Sequence, residues 1–501
     1  MRLRDNASLL DYVELYLTDS IINTICVETN RFANKCLQDL GDDIDESYLR
    51  HWEDVAHNEL KTFIGLLLLM GIIYKPSIRM YWSLDTIYST PIFSQVMKRD
   101  RFELIMKFLH FNDNSTYDAT DEDRDRLYKV RPLIDGIRER CCKVYYPGKN
   151  LSVDESLVLF KGRLHFKQFI RTKRARFGIK LFELCTSSGI TLDLLVYCGK
   201  GMFSDDDLGE DMPHSERIPA LLMEPFLHNN HTLHTDNYYT SPALAKYFLE
   251  NGTHLCGTVR SNRQNFPKQL VAEQLPKGDA SFYKCNEINM VACKFRASKD
   301  KADGKPKVVY MLSTLHQPTM REATVGGIPT TKPVCVKAYN QHMGGVDKVD
   351  QQLHGLRTLR KTYKWYKKLA LRLITQVVLN AHKVYQFETG SNMVFLDFVH
   401  DTISLMLALT PKVATNCHIV PIDSYARLTE RHFPSVKQAA PNAKDQRPTK
   451  PCRVCHARGV RTDRGKAIKT IYVCNMCPSE PGLHPDTCFM MYHTMLDFAS
   501  E

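Results

Sequence analysis

The stretch Leu151-Ser-Val-Asp-Glu-Ser-Leu-Val-Leu-Phe-Lys-Gly-Arg163 is the part of the sequence on which the fold prediction depends. It is a short run of β-prone residues that ends near a glycine, and this pattern predicts a strand with Asp154 inside it. Two more runs of the same kind follow at 178–185 and 192–197, with Ser-Ser-Gly punctuation between them. Together the three runs predict an antiparallel meander.

The flanking sequence adds helices to these strands. Thr232-Leu-His-Thr-Asp236 predicts another strand, and a helix is expected to open at Ser241-Pro242, because Ser can cap a helix and Pro fits its first turn. Apolar residues recur at helical spacing in 9–17, 21–40 and 59–73, and again from Lys337 to about Gln386. Strands that lead into helices predict a layered α/β core.

Composition limits the class of protein. The chain has 501 residues, of which 43% are hydrophobic and 25% are charged. These values predict a globular protein of two to four structural units and exclude a disordered one. The formal net charge of +11 favours a polyanionic partner. A mildly basic balance that serves solubility alone remains the alternative.

The sixteen cysteines do not indicate a secreted disulfide protein. The first residues, MRLRDNASLL, lack the pattern of a signal peptide, and Cys26, Cys185, Cys198 and Cys256 stand singly in apolar surroundings. The strongest apolar run, residues 63–73, is too short to cross a bilayer of about 30 Å as a helix. We therefore expect a reducing compartment, cytosolic or nuclear, and no membrane partner.

Three aspartates stand out by their context. Asp154 lies within a predicted strand, Asp236 ends another, and Asp347 follows a Gly-Gly pair at the start of a predicted helix. Asp350 lies three residues further on, on the same helix face. Two-metal phosphoryl transfer needs such oxygen ligands from several chain segments. Each aspartate could equally be a cap, a turn residue or a surface carboxylate, and physical reasoning alone does not select this set.

Two basic segments contain no acidic residue. Residues 161–180 and 357–372 interleave Lys and Arg with aromatic side chains. A solvated helix face normally mixes charges of both signs, so these runs favour contacts with phosphates and stacking on unpaired bases. Ordinary solvated faces are the alternative. The candidate DNA contacts are Lys161, Arg163, Lys167, Arg171, Lys173, Arg174, Arg176, Arg357, Arg360, Lys361 and Lys364.

The last fifty residues carry the spacing of a zinc module. Two Cys-x-x-Cys pairs lie about twenty residues apart, in a segment too small to bury much apolar surface, so bound metal would supply its folding energy. Free or redox-active thiols are the alternative. The candidate ligands predict two zinc ions in an interleaved arrangement: Cys452, Cys455, Cys474, Cys477, His484, Cys488 and His493, with His456 as an optional eighth.

Four blocks of sequence resemble piggyBac transposases and their domesticated relatives. They are Ser152 to Ile170, Gly178 to Phe182, Thr235-Asp-Asn-Tyr-Tyr-Thr-Ser-Pro242, and Tyr339-Asn-Gln-His-Met-Gly-Gly-Val-Asp-Lys-Val-Asp-Gln351. The resemblance implies that Asp154, Asp236 and Asp347 bind two Mg²⁺ ions in an RNase H-like core. It implies that Asp350 is a fourth required carboxylate. Trp365 matches an aromatic of the family, so it is either a DNA contact or a core-packing residue.

The resemblance also implies a discontinuous architecture of class α/β. Residues 1–147 and 358–435 would form a helical dimerisation and DNA-binding domain, and an RNase H-like core would comprise 148–262 and 334–357. An insertion subdomain would occupy 263–333. A polar linker at 436–450 would lead to the zinc module at 451–501.

The function that the resemblance implies is that of a nuclear DNA transposase. Members of the family cut transposon ends through hairpin intermediates and insert them at TTAA targets, so the expected partners are double-stranded DNA and a second copy of the chain, with no small-molecule substrate. Two alternatives stay open. One is a domesticated, non-catalytic DNA-binding regulator, and the other is a zinc-dependent interaction factor without DNA contact.

Overall fold

The computed structural model describes the chain with several gaps and divides it into two compact units. The described residues are 7–40, 48–118, 120–121, 124–171, 176–199, 202, 212–285, 287–298, 300, 304, 306–325, 327–356, 358, 362–411, 432–438, 448–477, 479–495 and 497–498. The units are Met1–Val413 and Ala414–Glu501.

The first unit is a mixed α/β structure, as the sequence predicts. Its helices are α1 (Leu9–Glu14), α2 (Asp19–Gln38), α3 (His57–Ile72), α4 (Pro91–Val96), α5 (Arg99–Phe108), α6 (Arg131–Val144), α7 (His214–Met223), α8 (Pro242–Glu250), α9 (Lys268–Ala272), α10 (Val334–His342), α11 (Gly345–His354), α12 (Trp365–Thr389) and α13 (Phe395–Leu407). Short 3-10 turns lie at Tyr48–His51, Ile78–Trp82, Asn114–Thr116, Tyr128–Val130 and Glu224–Phe226.

The strands of this unit form one large sheet and a separate hairpin. They are β1 (Asn150–Leu159), β2 (Gln168–Phe169), β3 (Phe177–Thr186), β4 (Thr191–Val196), β5 (Thr232–Thr235), β6 (His254–Thr258), β7 (Ala280–Cys285), β8 (Met290–Arg296), β9 (Val308–Ser313), β10 (Met320–Val325) and β11 (Ile328–Pro333). The large sheet runs β2-β3-β1-β5-β6-β9-β8-β7, β4 pairs with β3, and the hairpin is β10-β11.

The pairing confirms the predicted meander and adds a parallel centre. β1, β3 and β4 pair antiparallel, whereas β1-β5 and β5-β6 pair in parallel. The strands β7 to β9, from the segment that the sequence suggests as an insertion, extend this same sheet through the β6-β9 pairing. The predicted cap at Ser241 is confirmed, because its hydroxyl accepts the N–H of Leu244.

Apolar packing explains why the helical segments at 9–144 and 365–407 lie together. Their buried faces share one core, in which α3 and α12 are enclosed along most of their length. A second core fills the space between the sheet and helices α7 and α8. The apolar run 63–73 is a buried helix, as predicted, and among the described helices none has the length and apolarity needed to span a membrane.

The second unit is small and its core is built around cysteines. It contains β12 (Pro434–Val436), β13 (Lys450–Pro451), α14 (Arg453–Ala457), β14 (Lys469–Thr470), β15 (Tyr472–Cys474) and α15 (Thr487–Thr494). β12 pairs with β15 and β13 pairs with β14. β12 begins two residues before the predicted linker at 436–450 and belongs to this compact unit.

A buried histidine beside α5 makes the stability of the first unit sensitive to acid. The ring of His110 stacks on Phe32 with centroids 3.5 Å apart, and its Nδ1–H donates to the carbonyl of Phe108. Burial lowers the pKa of His110 from 6.5 to about 4. The folded state therefore disfavours the imidazolium, so His110 costs stability as the pH falls from 6.5 to 4 and nothing above that window.

We expect His110→Phe to reduce the acid sensitivity of folding. At about 1.4 kcal/mol per pKa unit, the wild type should lose about 3 kcal/mol more of its free energy of unfolding between pH 6.5 and pH 4 than the variant. Urea denaturation at both pH values measures the difference. Equal losses in the two proteins would contradict the assignment.

Candidate functional site

The parallel pairing of β1 with β5 places two of the predicted aspartates side by side. Ser152 pairs with His234 and Val153 with Thr235, so the next positions in the same register are Asp154 and Asp236. Paired residues of neighbouring parallel strands point to the same face of a sheet, and adjacent strands lie about 4.8 Å apart. This register, continued by one residue, would put the two carboxylates on one face, at the carboxyl end of β5.

Helix α11 covers that face and carries the third aspartate in its first turn. The helix begins so close to β1 that a Cβ on Gly345 would lie 2.6 Å from the Ser152 hydroxyl and 2.5 Å from the Thr186 carbonyl oxygen. Ser152 precedes Asp154 by two residues and points to the same side of the strand. Asp347 lies two residues after Gly345 and is exposed. The first turn of α11 is thus docked beside the Asp154–Asp236 pair.

Three carboxylates, those of Asp154, Glu155 and Asp236, make the surroundings of the site negative. Burial raises the pKa of Asp236, and the neighbouring charge of Glu155 raises it further. Burial, followed by the charges of Asp236 and Asp154, raises the pKa of the Tyr339 hydroxyl to about 12. The electrostatic cost of keeping two carboxylates ionised here would be offset by a bound cation. Oxygen donors on a rigid scaffold suit Mg²⁺, so the residues fit that ion.

The aspartates do not form a single compact ligand group. In the described part of the chain, groups of three or more Cys, His, Asp or Glu ligand atoms within 4.8 Å of one another occur in the second unit. Two ions about 4 Å apart are held by oxygens that lie further from one another than the ligands of a single ion do, so such a set need not fall within 4.8 Å. The Oδ1 of Asp350, the predicted fourth carboxylate, accepts a hydrogen bond from Arg372 at 3.1 Å.

A clamp fixes the turn that follows Asp236. The carboxylate of Asp236 accepts the N–H of Tyr238 at 2.9 Å, which closes an Asx turn. Arg263 then donates to three backbone carbonyls of that turn, those of Asn237, Tyr238 and Thr240. Sequence reasoning missed Arg263, because a lone arginine 27 residues after Asp236 carries no spacing signal.

The two basic segments meet at one surface. The rings of Phe166 and Trp365 are in edge-to-face contact, with centroids 5.4 Å apart. Trp365 is half-buried against the helical core, so it has a packing role, while Tyr363 and Lys364 before it are exposed. Of the other candidate contacts, Lys161, Arg163, Arg171 and Arg176 are exposed and Lys167 is half-buried. Lys173, Arg174, Arg357, Arg360 and Lys361 lie outside the described residues.

Two tetrahedral donor sets occur in the second unit. One consists of Cys452, Cys455, His484 and Cys488, and the other of His432, Cys474, Cys477 and His493. The Sγ of Cys455 lies 3.6 Å from both His484 Nδ1 and Cys488 Sγ. In the second set, Cys477 Sγ lies 3.6 Å from His432 Nδ1 and from His493 Nε2. Tetrahedral Zn²⁺ with bonds of about 2.0–2.3 Å requires donor separations of about 3.3–3.8 Å, so both sets fit zinc.

The ligand order along the chain alternates between the two sets, which is the interleaving that the sequence suggests. A further hydrogen bond orients one ligand, since the Nδ1–H of His493 donates to the carbonyl of Phe489 at 2.8 Å and leaves Nε2 facing the cysteines. His456 is exposed and lies outside both sets. His432 takes the eighth place. Sequence reasoning missed it because a single histidine twenty residues before the first pair shows no ligand spacing.

Models of known protein families match both units of the chain. A family model described as "Transposase IS4" matches residues 10–382. A second model, described as a "DDE_Tnp_1-like zinc finger", matches residues 436–494.

Individual relatives agree with these matches. PiggyBac transposable element-derived protein 3 of Homo sapiens is 28% identical over 397 residues, which cover 77% of this chain and 63% of that protein. PiggyBac transposable element-derived protein 2 of Homo sapiens is 28% identical over 388 residues, covering 74% and 60%. The chain thus spans less than two thirds of either relative. The cryo-EM structure of a piggyBac transposase synaptic complex with hairpin DNA is similar, with a TM-score of 0.69, 25% identity and 81% of each chain covered.

The adjacent glycines before Asp347 give a matched test of how α11 is docked. Gly345→Ala would drive a methyl group into Ser152 and Thr186, so we expect a loss of about 1–3 kcal/mol in the free energy of unfolding. Gly344→Ala meets nothing within 4 Å and should change stability by less than about 0.5 kcal/mol. Chemical denaturation measures both, and equal effects would rule out the close approach.

Zinc content tests the donor sets. His432→Ala should release one of two zinc ions per chain, because it removes a ligand from the second set. His456→Ala is the control and should retain both. Native mass spectrometry of the purified full chain counts the ions. A variant at His432 that keeps both ions, or one at His456 that loses an ion, would refute the ligand assignment.

Proposed function

Because the chain belongs to the family of piggyBac-type DDE transposases, with its zinc finger, we propose that it cleaves and transfers DNA strands at transposon ends and inserts them at TTAA targets. The observation that carries the proposal is the β1-β5 register, in which Val153 pairs with Thr235, so that Asp154 and Asp236 follow directly on neighbouring strands. Two half-buried carboxylates on neighbouring strands favour a catalytic use.

Asp154, Asp236 and Asp347 would hold two Mg²⁺ ions. When bound, the ions lower the pKa of the attacking hydroxyl and stabilise the leaving oxygen. The protein's part is to hold three carboxylates: Asp154 within β1, Asp236 directly after β5, and Asp347 in the first turn of α11. The clamp by Arg263 keeps the Asp236 turn from relaxing when the carboxylates repel one another.

The reaction would proceed by two phosphoryl transfers. In the first, a water oxygen bonds to phosphorus, the bond from phosphorus to the 3′ oxygen breaks, and that oxygen leaves as a 3′-hydroxyl. In the second, this hydroxyl bonds to a phosphorus of the opposite strand, displaces its 3′ oxygen and closes a hairpin. The solved piggyBac transposase synaptic complex contains hairpin DNA, the species that the second transfer would form here.

The surface around Phe166 and Trp365 would hold the DNA backbone. Exposed Lys161, Arg163 and Lys364 gather there, and the strand that carries Asp154 runs directly into it. Five residues of β1 separate Asp154 from Leu159, which corresponds to about 17 Å at 3.3 Å per residue. Phosphates held at the edge of this surface next to Leu159 would therefore lie about half a turn of DNA helix from Asp154, at about 34 Å per turn. Pairing of two transposon ends implies a homodimer, and the substrate implies a nuclear site of action.

The catalytic assignment is tested with DNA that carries the matching terminal repeats. We expect Mg²⁺-dependent nicking and hairpin formation by the wild type, and a loss of at least a hundredfold in the nicking rate for Asp236→Asn, because a neutral amide is a poor Mg²⁺ ligand. Asp100→Asn, the same change at an exposed residue of α5, should cut like the wild type.

DNA binding, measured by fluorescence anisotropy over a range of salt concentrations, should be retained in both variants, since phosphate contacts are made elsewhere. Unimpaired nicking by Asp236→Asn would end the catalytic assignment. A wild type that binds DNA and never nicks it would instead identify a domesticated binding protein.

A further inference from the structure

Helix α12 places three polar side chains in a row against the sheet. Arg372, Gln376 and Asn380 follow one another at four-residue spacing, and all three are buried. The amide of Asn380 exchanges two hydrogen bonds with the backbone of Thr191 in β4, at 2.9 and 2.8 Å. Gln376 donates to the Thr191 hydroxyl and to Glu183. Polar groups at the centre of an apolar contact are costly unless they are satisfied, so this row fixes α12 on the sheet in one register.

Arg372, at the start of the row, joins two carboxylates. Its Nη2 lies 3.1 Å from Asp350 Oδ1 and 3.5 Å from Glu183 Oε1, and its Nη1 donates to Gln376 at 2.8 Å. The Arg372 side chain is 8% exposed and that of Glu183 is fully buried, whereas Asp350 is 37% exposed. One guanidinium thus connects α11, which carries Asp347, with β3.

Glu183 is the residue directly opposite Asp154. The two are paired in the antiparallel β1-β3 register and point to the same face. Burial raises the pKa of Glu183, the Asp350 charge adds to the increase, and Arg372 opposes it. Without Arg372, a buried carboxylate would stand beside Asp154 with no cation to balance it, and Asp350 would lose the tie that holds the middle of α11.

We propose that Arg372 is a positioning residue of the carboxylate site: it binds Asp350 and Glu183 at once and thereby fixes α11, with Asp347, next to Asp154. The inference rests on the proposed function and makes it more specific. Asp350 then acts through Arg372 and not as a ligand of the metal ions. An arginine suits this place because its planar fork reaches three acceptors, which a lysine cannot do with the same geometry.

A double-mutant cycle between Asp350→Asn and Arg372→Lys tests the link. The readout is Mn²⁺ binding to the full chain, followed by electron paramagnetic resonance, which does not depend on cleavage. Loss of a residue that orients metal ligands costs about ten- to a hundredfold in metal affinity. We expect each single variant to raise the half-saturating Mn²⁺ concentration about tenfold, and the double variant to raise it no further.

Removing Arg372 alone would leave the buried carboxylate of Glu183 without the charge of this guanidinium, and this could prevent folding. The combined variant Arg372→Met with Glu183→Gln avoids this, because the amide keeps acceptor and donor groups for Ser156 and Gln376. It should fold, as judged by circular dichroism, and still bind Mn²⁺ about tenfold more weakly. Arg138→Lys is the control: Arg138 forms a bidentate pair with Asp193, at 2.7 and 2.9 Å, between α6 and β4, and its loss should leave Mn²⁺ binding unchanged.

The outcomes separate the two claims. Additive effects in the cycle, or a far larger effect of Asp350→Asn than of Arg372→Lys, would make Asp350 a direct metal ligand and overturn the positioning role. Wild-type affinity in the folded Arg372→Met/Glu183→Gln variant would overturn it as well. If the wild type binds no Mn²⁺, this inference and the proposed function are both overturned. If the wild type and all variants bind Mn²⁺ with equal affinity, the positioning role alone is overturned.

Discussion

The close approach of Gly345 to β1 is the contact on which the site depends. Strand pairing alone can bring Asp154 and Asp236 together. Asp347, the third predicted aspartate, lies on helix α11, so its position depends on how that helix packs against the sheet. A residue with no side chain lets the first turn of α11 touch the Ser152 hydroxyl and the Thr186 carbonyl. Val346 and Val349 then bury against Cys185 of β3, so apolar packing holds the turn in place.

Much of this arrangement could be predicted from local sequence, because local signals decide strands and caps. The β-prone runs at Asp154 and before Asp236 form the predicted strands β1 and β5, and Ser241 caps helix α8 as predicted. The zinc module was also predictable, since Cys-x-x-Cys spacing reflects the geometry of one metal ion. In contrast, the choice of the aspartates rests on family resemblance. The local sequence around an aspartate at the end of a strand does not distinguish a capping residue, a solvent-exposed residue and a metal ligand.

Long-range pairings could not be predicted from the sequence. Arg372 lies 189 positions from Glu183 and 22 from Asp350, and neither separation has a period that a pattern can reveal. His432 is similar, since it joins cysteines more than forty residues later. Pro434–Val436 is a similar case, because it is a strand of the zinc module only through its pairing with β15.

Helix α12 imposes a fixed spacing inside the protein. Trp365 at its first position touches the basic surface, and Arg372 holds the carboxylates seven residues later, about 10 Å along the axis. Removing one residue between them would turn Arg372 by about 100° relative to Trp365 and shorten the spacing by about 1.5 Å. Because residues 366–371 are also buried, natural variants of this chain should keep both the number and the size of the side chains in this segment, with no insertion or deletion between Trp365 and Arg372.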